Sequence, residues 1–201
     1  MHIVHRARFA SLAAAVAAFA TASCTASSEY MRPLERPPAL HPPADKALVV
    51  FVRPSSFARG IAFTIIDSDG KFLGDSLASS SFSVAVAPGR HLFIAWAENS
   101  AALEATVEAG RTYFVEVAPR MGGLSARAHL LAVRPGTKSW TERSSWLRDV
   151  RFLAPDRKAG QAYLDSRGAA LAERIKRGVA TFDEYDAEEL STRVLHPEDG
   201  V

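Results

Sequence analysis

Six histidines and a single cysteine carry whatever metal or nucleophilic chemistry this chain of 201 residues can offer. Beyond residue 23 the histidines are His41, His91, His129 and His196, with no H-x-x-x-H, no C-x-x-C and no carboxylate at ligand spacing beside them. A zinc site has nothing to build it. His91 and His129 fall in runs that read as strands, where a satisfied or half-exposed imidazole is the ordinary explanation. Asp67-x-Asp69-Gly70 with Asp75 downstream begins like a calcium loop, but glycine comes at the fourth position and the later ligands are missing. It reads instead as an Asp-Gly hairpin turn. Ser79, Ser80, Ser81 and Ser83 lie outside G-x-S-x-G and S-x-x-K, and Gly123-Leu124-Ser125-Ala126-Arg127 fails at its last position. A hydroxyl without a base and an oxyanion hole is not a nucleophile. No Walker loop and no G-x-G-x-x-G offers a nucleotide cofactor a place to bind. No catalytic, cofactor-binding or metal-ligating residue is therefore assigned, and the chain reads as a non-enzyme.

Composition narrows the class further. With 48% apolar and 23% charged residues the chain can bury a core, as a disordered or fibrous protein could not. The net charge of +2 comes from Arg6 and Arg8, and without residues 1 to 23 the count is 22 basic against 22 acidic. Phosphate-backbone binding needs a cationic excess, and no basic run supplies one. Nucleic acid is excluded as the expected partner.

Residues 1–23 are an address, a signal peptide. Residues 1 to 8 carry two arginines, two histidines and no acid, and Phe9 to Ala22 form an apolar run of 14 residues. A spanning helix needs about 20 apolar residues, so this run is a secretory signal and not an anchor. Cys24 follows at once, after Thr21-Ala22-Ser23. This arrangement resembles the lipobox of bacterial lipoproteins, although the family usually has leucine where Thr21 stands. The resemblance implies cleavage before Cys24 and lipid on its sulfur, making Cys24 the lipidation site and the membrane the first partner. Further acyl chains would fix it firmly, since a single one gives only marginal binding. The alternative is cleavage after Ala22, with Cys24 left as a free thiol. Thr25, rather than aspartate, after the cysteine resembles the outer-membrane sorting signal and implies a periplasm-facing lipoprotein, outer membrane in preference to inner.

Beyond the anchor, the chain divides into three stretches. Residues 24–44 contain Pro33, Pro37, Pro38, Pro42 and Pro43 and read as a semi-rigid tether of about 3.1 Å per residue, about 60 Å in all, holding the body off the bilayer. Residues 45–136 hold eight short apolar or alternating runs: Leu48 to Arg53, Ile61 to Asp67, Lys71 to Leu77, Phe82 to Val86, Arg90 to Ala97, Leu103 to Val107, Thr112 to Val117 and Ala126 to Val133. Spacing of about 8 to 12 residues between turn signals predicts a mainly β domain, an antiparallel β-sandwich of about eight strands. Leu48 to Val52 is apolar on both faces, as in a central strand, whereas Leu103, Ala105 and Val107 alternate with Glu104 and Thr106. Residues 137–201 read as an α-helical extension, with capping boxes at Ser139-x-x-Glu142 and Thr181-x-x-Glu184. Asp156 caps a helix running to Gly178 with Leu164, Gly168, Leu171 and Ile175 inward. The last 21 residues hold seven acids against Arg193 alone and read as a solvated face and frayed tail. Trp140 and Trp146 either pack on the sandwich or present an aromatic pair to a glycan or protein.

Pro88-Gly89-Arg90 and Ala109-Gly110-Arg111 each put glycine and arginine at the head of an apolar run, which predicts positive φ at both glycines and two successive edges of one meander. With "ALVVFVRP", "DSDGKFLGD", "VAPGRHLFIAW" and "VEAGRTYFVEV", this stretch resembles a bacterial domain-of-unknown-function family found in short lipoproteins, distantly similar to PEGA-type sandwich modules. The resemblance spans about ninety residues and implies a small, often lipid-anchored β-sandwich without catalytic residues. The function expected is a lipid-anchored envelope protein, a non-catalytic interaction or structural module with an envelope protein as partner; alternatives are a small-ligand carrier with an apolar cavity, or a hydrolase with a site assembled from distant residues.

Overall fold

A computed structural model describes residues 25–123 and 126–201; Cys24 and the segment before it, with Leu124 and Ser125, lie outside the described residues. The protein is mainly β with helices. Eleven strands among the described residues form two sheets. The first sheet runs β1 (Met31–Pro33), β10 (Arg151–Pro155), β5 (Ser80–Val86), β2 (Ala47–Arg53), β8 (Thr112–Met121), β9 (Ala126–Val133). The second runs β11 (Val194–Leu195), β7 (Ser100–Val107), β6 (Gly89–Trp96), β3 (Phe63–Asp67), β4 (Phe72–Ser76). Each of the eight expected runs contains a strand. Both sheets are mixed, however: β2 pairs β8 in parallel, as β10 does β5 and β11 does β7. The purely antiparallel reading is corrected, because parallel pairs come from flanking segments and from strands far apart in sequence, which turn chemistry does not encode.

Why β2 is central follows from its composition. All seven of its residues are buried. Val49 and Phe51 face the interior, where Phe51 stacks on Phe82 at 5.1 Å and meets Phe93 of the opposite sheet edge-on at 5.4 Å. Leu48 and Val50 face outward and are covered, with Phe114 and Val133, by Trp140, Trp146 and Leu147 of helix α1 (Lys138–Asp149). The two tryptophans therefore pack on the sheet. Gly89 and Gly110 have φ of 122° and 77°, as their turns require. Yet they do not join neighbours in a meander: β5 and β6 lie in different sheets, as do β7 and β8. Each glycine sits where the chain crosses between sheets.

Neither flank is an appendage. The tether expected over residues 24–44 is, from Thr25 on, folded against the body. Met31–Pro33 pairs with β10, the Ala26 amide bonds the Arg59 carbonyl at 2.7 Å, and the Ser28 hydroxyl donates to Asp75 at 2.5 Å. Proline at Pro33 is tolerated because β1 is an edge strand with no further neighbour to receive its missing donor. The helical extension likewise supplies β10 and β11. Helix α1 is capped by Thr137, whose hydroxyl accepts from the Trp140 amide, not by Ser139. Asp156 caps α2 (Arg157–Asp165) as expected, accepting from the Ala159 amide at 3.1 Å. The single helix to Gly178 is broken at Ser166-Arg167 into α2 and α3 (Gly168–Asp183), so Thr181 lies inside a last turn. The cap of α4 (Ala187–Arg193) is Asp186. Leu164 is wholly buried, and Leu171 and Ile175 rest on the core. The C-terminal end is pinned rather than frayed, since Val201 and Thr112 exchange backbone bonds of 3.0 and 2.7 Å.

The helices lie so close to the sheets that two glycines are obligatory. A Cβ at Gly160 would stand 2.3 Å from the Phe72 ring and one at Gly178 2.7 Å from Ile94, whereas Gly168 faces open space. Gly160→Ala is expected to lower stability by about 1–3 kcal/mol through overpacking, while Gly168→Ala stays within about 1 kcal/mol of wild type. Urea midpoints of the two variants check this; equal midpoints would mean that α2 does not seat on β4.

Candidate functional site

Polar chemistry concentrates at the seam where the open edge of β9 faces β7. The outward backbone of β9 is met by side chains. Asn99, in the turn before β7, donates through its amide nitrogen to the Ala128 carbonyl at 2.8 Å and accepts from the Ala128 amide at 2.9 Å. Arg193, at the end of α4, donates to the Leu130 carbonyl at 3.4 Å. An unpaired strand edge invites association, and here two side chains close it. A cleft of about 490 Å³ lies over this seam, lined by Arg127 and His129 of β9, Arg174 and Arg177 of α3, Arg193, Tyr185, Ser100 and the acids Glu98, Glu184 and Glu189.

Arg193 organises the cleft. It is 5% exposed, its guanidinium lies 4.4 Å from the centre of the Tyr185 ring, and its Nη2 donates to His129 Nδ1 at 2.8 Å. A guanidinium has no lone pair to offer, so His129 Nδ1 must be the acceptor and the imidazole carries its proton on Nε2. Burial, reinforced by Arg193 and then by Arg120 and Arg127, holds His129 down at about 4. It is neutral at pH 7. Glu189 stands 3.9 Å from Arg193 and Glu98 3.8 Å from Arg127, both beyond hydrogen-bond length. Two buried atoms at this seam, Arg193 Nε and the Ser100 hydroxyl, have no hydrogen-bond partner.

The other residues singled out by sequence are used structurally. Asp67 Oδ1 accepts from the amides of Asp69 and Lys71 at 3.0 and 2.8 Å, with Gly70 at φ 80°, which is the expected hairpin turn between β3 and β4. Asp75 turns away from it to accept from Ser28 and Thr64. His91 contacts the Ala87 carbonyl at 2.8 Å. Ser80 and Ser81 donate to the carbonyls of Leu77 and Phe51. Among the described residues no three His, Cys, Asp or Glu side chains are grouped to hold a metal. The sequence offers His129 only as a strand histidine and Arg193 only as the one base of the last 21 residues; their grouping is not legible because the seam residues lie up to 95 positions apart, from Glu98 to Arg193, and share no motif.

A second buried cation lies elsewhere. Arg53, at the end of β2, is wholly buried without a carboxylate partner: it donates to the carbonyls of Ile61 (2.9 Å), Ser76 (3.1 Å), Phe57 and Ala58 (both 2.8 Å) and lies over the Phe63 ring. Burial lowers it to about 10, so it stays charged at neutral pH. Four carbonyl dipoles stand in for a counter-ion, and three of them tie down loop 54–61, including Ala58 at φ 54°. Compared with models of protein families, with curated proteins and with solved structures, the chain finds no match.

The depressed His129 value makes a signed prediction. The unfolded chain takes up this proton from about 6.5 downwards, the folded one only near 4, so the neutral imidazole's contribution is present above 6.5 and is lost as pH falls towards 4. Allowing for its partial exposure, wild type should lose about 1–2 kcal/mol between pH 7 and 4.5 relative to His129→Gln, whose amide oxygen can still accept from Arg193. Urea unfolding of both proteins at the two pH values measures this; parallel losses would contradict the neutral assignment.

Proposed function

We propose that the chain is a lipid-anchored protein of the cell envelope, held through Cys24 on a periplasm-facing membrane surface, the outer membrane in preference to the inner, and working as a non-catalytic binding module. The observation that carries the binding reading is the polarity of the seam cleft. His129 Nδ1 faces a guanidinium where a general base would face a carboxylate, and the Ser100 hydroxyl has no imidazole in reach. Such a cleft attracts charge rather than relaying protons. The interior that a carrier would keep open is occupied by Phe51, Phe82, Phe93, Ile65 and Val115, which favours binding at the surface.

Anchoring sets how the body would face the membrane. Ala26 is bonded to Arg59, so lipid on Cys24 would lie within about 7 Å of chain from loop 54–61, at about 3.5 Å per residue. Phe57 and Arg59 are exposed on that loop, an apolar ring and a cation suited to the headgroup boundary. The body would sit against the bilayer rather than far above it.

Cys24→Ser is expected to release the protein from the membrane fraction or to leave an uncut precursor. Mass spectrometry of the wild-type mature N-terminus should show diacylglycerol on the cysteine. An unmodified Cys24 thiol on the mature protein would overturn the anchor.

A further inference from the structure

We propose that the seam cleft is a binding site for a small organic oxyanion, a carboxylate- or phosphate-bearing molecule. This names the ligand class for the binding reading above and rests on it. Cations reach the cleft from three separate elements: Arg127 on β9, Arg174 and Arg177 on α3, and Arg193 on α4. No single amphipathic face explains that convergence. At about 490 Å³ the space is in the range of small-molecule sites and larger than a lone inorganic ion requires.

Arg127, Arg177 and Arg193 each have a carboxylate within 4 Å, but among the described residues Arg174 has none, and the buried Arg193 Nε and Ser100 hydroxyl in the cleft have no hydrogen-bond partner. Arg174 and Arg177 stand one turn apart, where like charges repel. Among the described residues Arg174 hydrogen-bonds only the carbonyls of Glu98 and Asn99, both at 3.4 Å, and it lies 5.4 Å from the Trp96 ring centre. Burial, and then the charge of Arg177, weaken its hold on its proton. The low value at His129, caused after burial by Arg193, Arg120 and Arg127, reports the same positive potential from the opposite wall. Arg177 is paired with Glu173 at 2.7 Å, and its side chain is 60% exposed. Glu98, Glu184 and Glu189 line the same cleft and repel an anion that reaches them. A long polyanion would meet them, whereas a ligand with one or two oxyanion groups fits between the arginines, whose planar donors match such groups in pairs.

The test is calorimetry on the purified full chain at low salt with disodium succinate, inorganic phosphate and the neutral analogue succinamide. Saturable binding of succinate or phosphate and none of succinamide is expected, and the tighter of the two anions identifies the oxyanion preferred. Arg174→Gln and Arg177→Gln should each weaken binding about five- to tenfold, with the melting temperature of Arg177→Gln unchanged, while Lys71→Gln, a surface cation outside the cleft lining, should not. Absence of saturable heat with both anions, or equal weakening by Lys71→Gln, would overturn the proposal. The melting temperature of Arg177→Gln, an exposed site, guards against misreading a folding defect. Crosslinking of the wild-type protein to an envelope partner in intact cells tests the wider binding reading separately: capture without anion binding would sink the ligand class alone, and failure of both would sink the module reading as well.

Discussion

A β-strand with an unpaired edge exposes a row of backbone donors and acceptors, and the edges of β5, β7 and β9 are met wholly or in part by residues recruited from outside residues 45–136. The free side of β5 is taken by β10, and the free side of β10 by β1. The free side of β7 is taken by β11. The free side of β9 is met by the side chains of Asn99 and Arg193. Pairing is favourable because a buried backbone group left without a partner costs about 1–3 kcal/mol. Both flanks are thereby drawn into the two sheets, and the shape of the molecule follows from that requirement more than from any one hydrophobic contact.

The same requirement builds the cleft. Arg193 is buried because it must reach the Leu130 carbonyl, and once there it sets the tautomer of His129 and stacks on Tyr185. Helix α3 must lie low on β6 and β7 to cover Ile94, which Gly178 permits, and this brings Arg174 and Arg177 over the seam. The positive character of the cleft is thus a by-product of closure: Arg127, Arg177 and Arg193 each have a carboxylate within 4 Å, whereas among the described residues Arg174 bonds carbonyl oxygens alone. Arg53 applies similar chemistry without an acid, exchanging its hydration for four carbonyls, three of them in loop 54–61.

Local patterns in the chain announced the strands but not their partners. Leu48 to Val52, apolar on both sides, spelled out a strand covered on two faces, and alternation from Leu103 to Val107 spelled out one with a wet side. Asp67 to Gly70 and the glycines at 89 and 110 were legible because positive φ has few solutions. Partnership was not legible: β1 and β10 meet across more than a hundred residues, and a three-residue strand containing proline has no periodicity to read. The proline-rich stretch looked like a spacer because proline favours extended chain; edge pairing uses that same extension. The seam site was hidden for a related reason, since Arg127, Arg174 and Arg193 are ordinary surface residues until three elements converge.

If closure by the flanks holds the body together, the protein should unfold as one unit, with its N-terminal segment fixed on the body. Native-state hydrogen exchange measures this residue by residue. Amides of β10 and β11 that donate across their strand pairs should open with the same free energy as those of β2 and β8, at the global value and with the same dependence on denaturant. Exchange of β10 and β11 through a separate low-energy opening, with β2 and β8 still protected, would contradict the account and return the flanks to the status of appendages.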